Sequence, residues 1–366
     1  MTDREYMQLA IDLALKGCGH TNPNPMVGAV IVKDGKIIGQ GFHEKYGQLH
    51  AERNALAVCT DSCEDAAMYV TLEPCCHYGK QPPCTEAIIA SGISKVFVGS
   101  HDPNPAVSGK GVQLLRQAGI EVVTDFMKEE CDRINYVFFH YIQTGLPYVV
   151  MKYAMTADGK IATKSGASKW ITGEESRNHV QEDRNRYAAI MVGIGTVLTD
   201  DPLLTCRISG GSNPVRVICD TNLRIPLDSQ IVKTSSQIPT IIATCSEDLD
   251  KINPLIESGC EILNITPEDG RINLKELMSC LGNRKIDSVY IEGGSTLHWA
   301  ALQSGIVNRV QTYIAPKLFG GKSAPSPVGG SGINLPEECV RLSKPQITCY
   351  GDDILLESEV IECLQE

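Results

Sequence analysis

Apolar residues recur at helical spacing near the start of the chain, at Met7, Ala10, Ile11, Ala14 and Leu15, behind Thr2 and Glu5. A hydroxyl followed three residues later by a glutamate is a capping box, so the pattern predicts a helix capped by Thr2 and ending near Gly17. The period then shortens. Val27 to Val32 and Lys36 to Gly39 are apolar runs about Asp34-Gly35, a dipeptide suited to the positive φ angles of a tight hairpin, so two paired strands are expected. A short helix from His50 through Val58, a strand over Ala67 to Leu72, and a helix from Cys84 to Ser91 stopped by Gly92 follow. A strand over Lys95 to Gly99, a helix over Gly111 to Ala118 and a strand over Glu121 to Val123 complete this series.

The segment from His140 to Pro147, with Gly145 and Pro147, reads as a boundary. A second series begins with a strand over Tyr148 to Tyr153. Thr172 and Glu175 offer another capping box, for a helix to about Tyr187, and strands are expected at Ala189 to Val192, Pro214 to Cys219, Pro239 to Ala243 and Ser288 to Ile291. Gly329 to Gly332 reads as a mobile surface loop. Such alternation predicts two α/β layered domains, 1–145 and 146–366, with ligands at strand ends. A chain of 366 residues is long enough to give each its own core.

Composition narrows the partners. A formal charge of −11 disfavours broad contact with a nucleic-acid backbone, which binds by neutralising phosphates with Lys and Arg; a small-molecule substrate is expected. No stretch approaches the ~20 apolar residues of a membrane span, and the first residues lack a basic region followed by an apolar one, so a cytoplasmic protein is expected. Fifteen cysteines, odd in number and scattered, are expected to be mostly reduced, buried and inert rather than paired.

The chemistry concentrates at His50-Ala51-Glu52, Pro74-Cys75 and Cys84. One imidazole and two thiolates fill three corners of a zinc tetrahedron and leave the fourth for water, whose pKa the ion lowers to ~7. Glu52 is then an unligated acid able to carry the water's proton to a departing amine. The order H-x-E then P-C is that of zinc nucleobase deaminases, but the spacer from Cys75 to Cys84 is longer than two residues. Cys76 and His77 therefore compete as ligands; Cys75 and Cys84 are preferred because each follows a proline and opens a turn or helix, where amides favour a thiolate. A closed zinc site without chemistry would leave Glu52 unexplained. His50 and Glu52, two apart, diverge on a regular helix and can address one water only at a ragged helix start.

In the second half, Gly193-Ile194-Gly195-Thr196 follows a strand, and Glu292-Gly293-Gly294-Ser295-Thr296 leads into a helix near Ser295. Either is a bland tight turn or a cradle for phosphate; neither is a full G-x-G-x-x-G, because Leu198 holds the last position.

These residues carry a family resemblance. Asn22-Pro23-Asn24-Pro25-Met26-Val27-Gly28, His50-Ala51-Glu52, Glu73-Pro74-Cys75-Cys76-His77-Tyr78-Gly79-Lys80, Pro82-Pro83-Cys84 and Asp102-Pro103-Asn104-Pro105 resemble the bifunctional riboflavin-biosynthesis deaminase/reductase family. So do Lys152 through Ala162, Ser168 to Thr172, Gly193 to Thr196, Asp200 to Arg207 and Glu292-Gly293-Gly294. The resemblance covers nearly the whole chain, and in this family the long spacer is normal.

It implies an N-terminal cytidine-deaminase-like α/β/α domain and a C-terminal dihydrofolate-reductase-like α/β domain. It implies Zn²⁺ and NADPH as cofactors, a phosphoribosylaminopyrimidine substrate, deamination followed by reduction of the ribosyl unit to ribityl, and a homo-oligomer, dimer or tetramer. His50, Cys75 and Cys84 would hold zinc, with Glu52 catalytic. Asn24, His43, His77, Lys80, Asp102 and Asn104 would contact the deaminase substrate, although Asn24 also suits an Asx turn and His43 an ordinary strand end. Ala154, Trp170, Thr196, Asp200, Gly294, Ser295, Thr296 and Leu297 would bind the cofactor. Lys152, Ser168, Arg184, Leu204, Arg207 and Glu292 would bind the reductase substrate. Arg184 and Arg207 suit a phosphate clamp, with a solvated helix face as the alternative for Arg184, and Trp170 suits either a core or a nicotinamide wall. The alternative function is a zinc deaminase of another nucleobase or nucleotide with an unrelated nucleotide-binding domain.

Overall fold

A computed structural model describes residues 1–78, 81–104 and 108–362. The chain divides into two compact units, Met1–Gly145 and Leu146–Glu366.

The first unit runs α1 (Asp3–Leu15), β1 (Gly28–Lys33), β2 (Lys36–Phe42), α2 (Ala51–Ala57), β3 (Ala67–Leu72), α3 (Cys84–Ala90), β4 (Lys95–Ser100), α4 (Lys110–Gln117), β5 (Glu121–Val123), α5 (Lys128–Ile134) and α6 (Tyr136–Thr144). The Thr2–Glu5 capping box forms at the start of α1. Asp34 and Gly35 take φ of 49° and 74°, which turns β1 antiparallel onto β2. The sheet order is β2-β1-β3-β4-β5, with β3, β4 and β5 parallel. Alternate residues of each strand face opposite layers. Val30, Val32, Tyr69 and Phe97 pack with Tyr6, Met7, Ala10 and Ile134; Ala29, Ile31, Met68 and Val70 pack with Ala55, Ile88, Leu115 and Phe138. The result is an α/β/α sandwich. Gly28 is required for the close approach of α1, because a Cβ there would lie 1.9 Å from the Ala10 carbonyl oxygen.

The second unit runs β6 (Tyr148–Thr156), α7 (Glu174–Arg186), β7 (Ala189–Gly193), α8 (Ile194–Asp200), β8 (Val215–Cys219), α9 (Gln230–Lys233), β9 (Thr240–Thr244), α10 (Leu249–Glu257), β10 (Glu261–Asn264) and the small hairpin β11 (Pro267–Glu268) and β12 (Arg271–Ile272). It continues with α11 (Leu274–Asn283), β13 (Ser288–Ile291), α12 (Ser295–Gln303), β14 (Arg309–Ala315), β15 (Arg341–Leu342), β16 (Gln346–Tyr350) and β17 (Asp353–Glu362). Its large sheet has the order β10-β9-β8-β7-β13-β6-β14-β17-β15, with β16 also on β17. The strands are parallel from β10 to β14, and β17 returns antiparallel. Helices cover both faces of the parallel part, which is why Ala189–Gly193 and Thr240–Thr244 read as continuous apolar runs. Met191, Val217 and Ile241 face one core, and Ile190, Val192, Ile218 and Ile242 the other.

Several expectations are corrected. Thr172 does not cap α7: the N-cap is Gly173, without a side-chain cap of its own. Asp353, distant in sequence, does that work, accepting from the Gly173 amide at 2.7 Å and the Ser176 hydroxyl at 2.6 Å. The boundary segment is helical through Thr144, leaving the left-handed Gly145 as the break. The expected surface loop at Gly329 to Gly332 is present, exposed from Gly330 on, and one end is tied to α12: the Gly329 amide bonds the Ser295 carbonyl at 3.1 Å, and a Cβ on Gly330 would strike the Trp299 ring. Of the described cysteines only Cys84, Cys131 and Cys260 are buried, fewer than expected.

Candidate active sites

In the first unit, His50 is the N-cap of α2, with extended φ and ψ of −76° and 164°. It stands outside the helical spiral while Glu52 lies in the first turn. This resolves the divergence of two residues so spaced, because the cap's side chain is free of the 100° helical step. Cys75 follows β3, and Cys84 is the first residue of α3, its amide donating to Cys75 Sγ at 3.3 Å. His50 Nδ1 is 3.5 Å from each sulfur, and the three donor atoms lie within 4.8 Å of one another. Tetrahedral zinc with Zn–S of ~2.3 Å and Zn–N of ~2.0–2.1 Å places N and S about 3.6 Å apart. The donor set fits that ion. As thiols the two cysteines share one proton: the hydrogen bond between them lowers Cys75 to about 4 and raises Cys84 strongly. A divalent cation releases that proton. Cys76 is not part of the donor group, and His77 is exposed.

Glu52 is 3% exposed. Burial, followed by the charge of Cys75, pushes its carboxyl up to about 7, a value at which it both accepts and gives a proton near neutrality. His43 is buried against His50, the two rings edge-on with centroids 5.4 Å apart. His43 Nδ1 meets the Leu49 carbonyl at 2.9 Å, and its Nε2 meets Asn24 Nδ2 at 3.2 Å. A carbonyl partner requires the proton on Nδ1, so Nε2 accepts from the Asn24 amide. Burial lowers the pKa of the His43 ring and keeps it neutral. Asp102 is buried and raised to about 6 by desolvation, and its Oδ1 accepts from the Asn104 amide at 2.8 Å. Lys80 lies outside the described residues.

Two residues were given no role by the sequence reading. Buried Glu73 accepts from the Gly109 and Val112 amides at 3.0 and 3.1 Å, holding the start of α4. Arg53 donates to the Pro82 and Pro83 carbonyls at 3.2 and 2.9 Å, fixing the approach to Cys84. Their adjacency to Pro74-Cys75 and Glu52 was the only local signal.

In the second unit the glycine turns sit side by side because they end neighbouring parallel strands. The Gly193 amide donates to the Gly293 carbonyl at 3.1 Å, and that of Glu292 to Met191 at 3.0 Å. A Cβ on Gly293 or Gly294 would lie 3.6 Å from Thr196 Oγ1, and one on Gly193 3.7 Å from Leu297. Gly294 caps α12 without a side-chain acceptor, leaving the amides of Ser295 and Thr296 at a helix start suited to an anion. Ala154 and Lys152 lie on β6, and Asp200 closes α8, exposed. Trp170 is 62% exposed, so it is no core residue; the Arg177 guanidinium lies 4.8 Å over its ring. Ser168 is half-buried.

Arg184 and Glu292 are brought together as a bidentate pair, Nε–Oε1 2.6 Å and Nη2–Oε2 2.9 Å, with Lys152 Nζ 3.9 Å from Oε2. Arg184 Nη1 donates to the Thr205 carbonyl at 3.0 Å. Three of its five N–H groups are therefore used within the protein, which fixes the guanidinium against Glu292. Glu292 is buried, yet the cations Arg184 and Lys152 outweigh desolvation and hold its carboxyl below the usual range. Leu204 is buried with φ of 53°. Arg207 is exposed, with no ion pair among the described residues.

Residues 147–356 match the family model of the RibD C-terminal domain, and residues 1–100 that of the cytidine and deoxycytidylate deaminase zinc-binding region. Riboflavin biosynthesis protein RibD of Actinobacillus pleuropneumoniae is 55% identical, over 100% of this chain and 97% of its own length.

The chain belongs to the RibD family.

The Escherichia coli (strain K12) RibD is 39% identical, over 87% of this chain and 89% of its own. A crystal form of Acinetobacter baumannii RibD superposes with a TM-score of 0.88 at 38% identity, covering 98% of this chain and 99% of that one. A Thermotoga maritima structure described as a diaminohydroxyphosphoribosylaminopyrimidine deaminase/5-amino-6-(5-phosphoribosylamino)uracil reductase gives 0.85 at 38%, covering 97% and 98%. This chain is thus a bifunctional deaminase and reductase of riboflavin biosynthesis, with a zinc-binding cytidine-deaminase-like domain and an NADPH-using RibD reductase domain. No helix among the described residues is long and apolar enough to cross a membrane.

Proposed function

We propose that the first unit, residues 1–145, hydrolyses the 2-amino group of 2,5-diamino-6-(5-phosphoribosylamino)pyrimidin-4-one, and that the second, residues 146–366, reduces the resulting 5-amino-6-(5-phosphoribosylamino)uracil to its ribityl form. The observation that carries the first step is a buried carboxyl, raised to about 7, beside a three-donor metal corner. Held by His50, Cys75 and Cys84, zinc supplies a Lewis acid that makes water nucleophilic near neutral pH. Glu52 would take a proton from water as the water oxygen bonds to the amino-bearing ring carbon, and return one to the amino nitrogen, so that the C–N bond breaks, ammonia leaves and that carbon becomes a carbonyl. His43, neutral and oriented by the Leu49 carbonyl, fixes the Asn24 amide at the pyrimidine. His77, Lys80, Asp102 and Asn104 complete the contacts to base, ribose and phosphate.

In the second unit bound NADPH supplies the hydride. Delivered to the anomeric carbon of the ribosyl group, that hydride would replace the bond to the ring oxygen, which would take a proton and become a hydroxyl of the open chain. The glycine turns, with Ala154, Trp170, Thr196, Asp200 and Gly294 to Leu297, hold the dinucleotide. Lys152, Ser168, Leu204 and Glu292 face the substrate. Arg207 meets its phosphate, and Arg184, which orients Glu292 through three internal hydrogen bonds, has two N–H groups left for the same substrate.

Ammonia release and loss of nicotinamide absorbance, followed together after adding the diaminopyrimidine and NADPH, test the reading. The expected result is one ammonia and one NADPH oxidised per substrate, ammonia leading. Ammonia from cytidine or adenosine substrates instead, with no NADPH consumed, would overturn it. The same reading includes a homo-oligomer, dimer or tetramer, in the cytoplasm. The exposed apolar Leu342, Ile347 and Ile361 of the closing strands support association, which light scattering checks.

A further inference from the structure

The segment from Leu203 to Ser212 forms neither helix nor strand, yet four backbone groups in its first half are held by side chains outside it. Arg216, fully buried, donates Nη1 to the Leu203 carbonyl at 3.3 Å. Leu204 is in the left-handed region with its side chain buried, a conformation that persists for a non-glycine residue only where its surroundings enforce it. Arg184 Nη1 takes the Thr205 carbonyl at 3.0 Å, and Asn213 Oδ1 the Cys206 amide at 3.0 Å. The Arg207 amide donates to Gln181 Oε1 at 3.0 Å. Further along, Asn185 Oδ1 accepts from the Ser212 amide at 2.8 Å.

Three of these partners share one element. Gln181, Arg184 and Asn185 stand at i, i+3 and i+4 on α7, one face of a helix. Gln181 is 7% exposed on an otherwise strongly polar helix, so a buried amide faces a loop backbone where a solvated position would serve a helix equally well. Its oxygen is assigned by its partner, since an amide N–H requires an acceptor. The Cys206 thiol also meets the Gln181 carbonyl, at 3.6 Å. The same face thereby indexes Glu292, through Arg184, and the Arg207 backbone, through Gln181. A guanidinium that meets phosphate from an exposed loop gains affinity when the loop is held in advance.

We infer that Gln181 is a positioning residue of the reductase, fixing the Arg207 backbone so that the Arg207 guanidinium is presented to the substrate's phosphate. This rests on the reading of Arg207 as the phosphate contact.

Reductase kinetics on the full chain, with the deaminated phosphoribosyl substrate and NADPH, test it. Gln181→Met keeps the length of the side chain and removes the acceptor. Substrate KM rises about tenfold, the scale of one hydrogen bond, with kcat, the KM for NADPH and ammonia release unchanged. Gln181→Glu restores an acceptor and returns KM toward the original value. With a dephosphorylated substrate the Met variant and the parent are equal. Asn185→Ala, less buried, raises the same KM by a smaller factor and carries the test if Gln181→Met does not fold. A drop in kcat together with a higher KM for NADPH, or an equal penalty on the dephosphorylated substrate, would show Gln181 to be merely structural. Arg207→Ala separates the two levels. If it leaves substrate KM unchanged, the phosphate reading itself is lost and this inference with it. If it raises KM while Gln181→Met and Asn185→Ala do not, only this inference fails.

Discussion

The two sites are built on opposite electrostatic plans. In the first unit Glu52 is buried beside the metal donors, where desolvation and the Cys75 charge outweigh the pull of His50 and drive its carboxyl up to about 7. In the second, the Glu292 side chain is enclosed almost as far but is held by Arg184 and Lys152 and driven down. Burial alone therefore does not set a carboxylate's role; the neighbouring charge does. A proton carrier must sit near the working pH, and desolvation supplies that. A fixed anion that orients cations and hydroxyls must stay ionised, and a bidentate guanidinium supplies that.

Removing the metal is the harshest way to break this contrast. Chelation is expected to abolish ammonia release and lower the unfolding temperature of the first unit, because its donor set has no other common partner. NADPH oxidation with supplied deaminated substrate should persist, and its loss would mean that the reductase also depends on the ion. Glu52→Gln comes next: ammonia release falls about 10³-fold, within the usual range for losing a general acid–base, with bound zinc unchanged by metal analysis. Retention of normal turnover would remove Glu52 from the proton path. Glu292→Gln should behave differently, since it strands two buried cations. Denaturation should report about 3 kcal/mol lost from the second unit, against a small change for Glu52→Gln in the first. Equal losses from the two variants would erase the distinction.

Smaller effects sharpen the comparison. Arg207→Ala should raise the reductase substrate KM about 30-fold, near 2 kcal/mol for a charged hydrogen bond, and leave deamination alone. The gentlest probe is pH. Burial holds the His298 ring down at about 4; its stabilising contribution is complete above the unfolded value of about 6.5 and is lost as pH falls toward 4. Asp183, raised by burial to about 6, acts in the reverse sense, losing its contribution as pH rises from ~3.8 through 6. His298→Gln should therefore remove the first slope and leave the second, so that the variant's stability relative to the parent worsens between pH 4 and 6.5. A pH-independent difference by chemical denaturation would count against a neutral buried imidazole.

What a reader of the sequence can extract differs between the halves for the same reason that the sites differ. The hairpin at Asp34-Gly35, the capping box at Thr2 and Glu5, and the strands Ala67–Leu72 and Ser288–Ile291 were legible because turn chemistry and burial period are written in neighbouring residues. The helices from Lys128 to Thr144 and the closing strands β14 to β17 were not anticipated. Their positions are settled by partners far away, as when Arg309–Ala315 pairs with both Tyr148–Thr156 and Asp353–Glu362.

The kind of site, a three-donor metal corner with an acid beside it, was legible in the sequence alone, because the metal's coordination number and the Cys, His and Glu side chains fix the chemistry. The choice of Cys75 and Cys84 over Cys76 and His77 waited on the fold that gathers them with His50. Tertiary structure alone decided how those groups meet. It set His50 off the helix as a cap so that Glu52 can share its space, and it set two glycine turns nearly a hundred residues apart against each other as neighbouring strand ends. It also brought Arg184 onto Glu292, a partner that the sequence did not name for it. A guanidinium's partner depends on which carboxylate the fold brings within about 3 Å, and no local pattern records that distance.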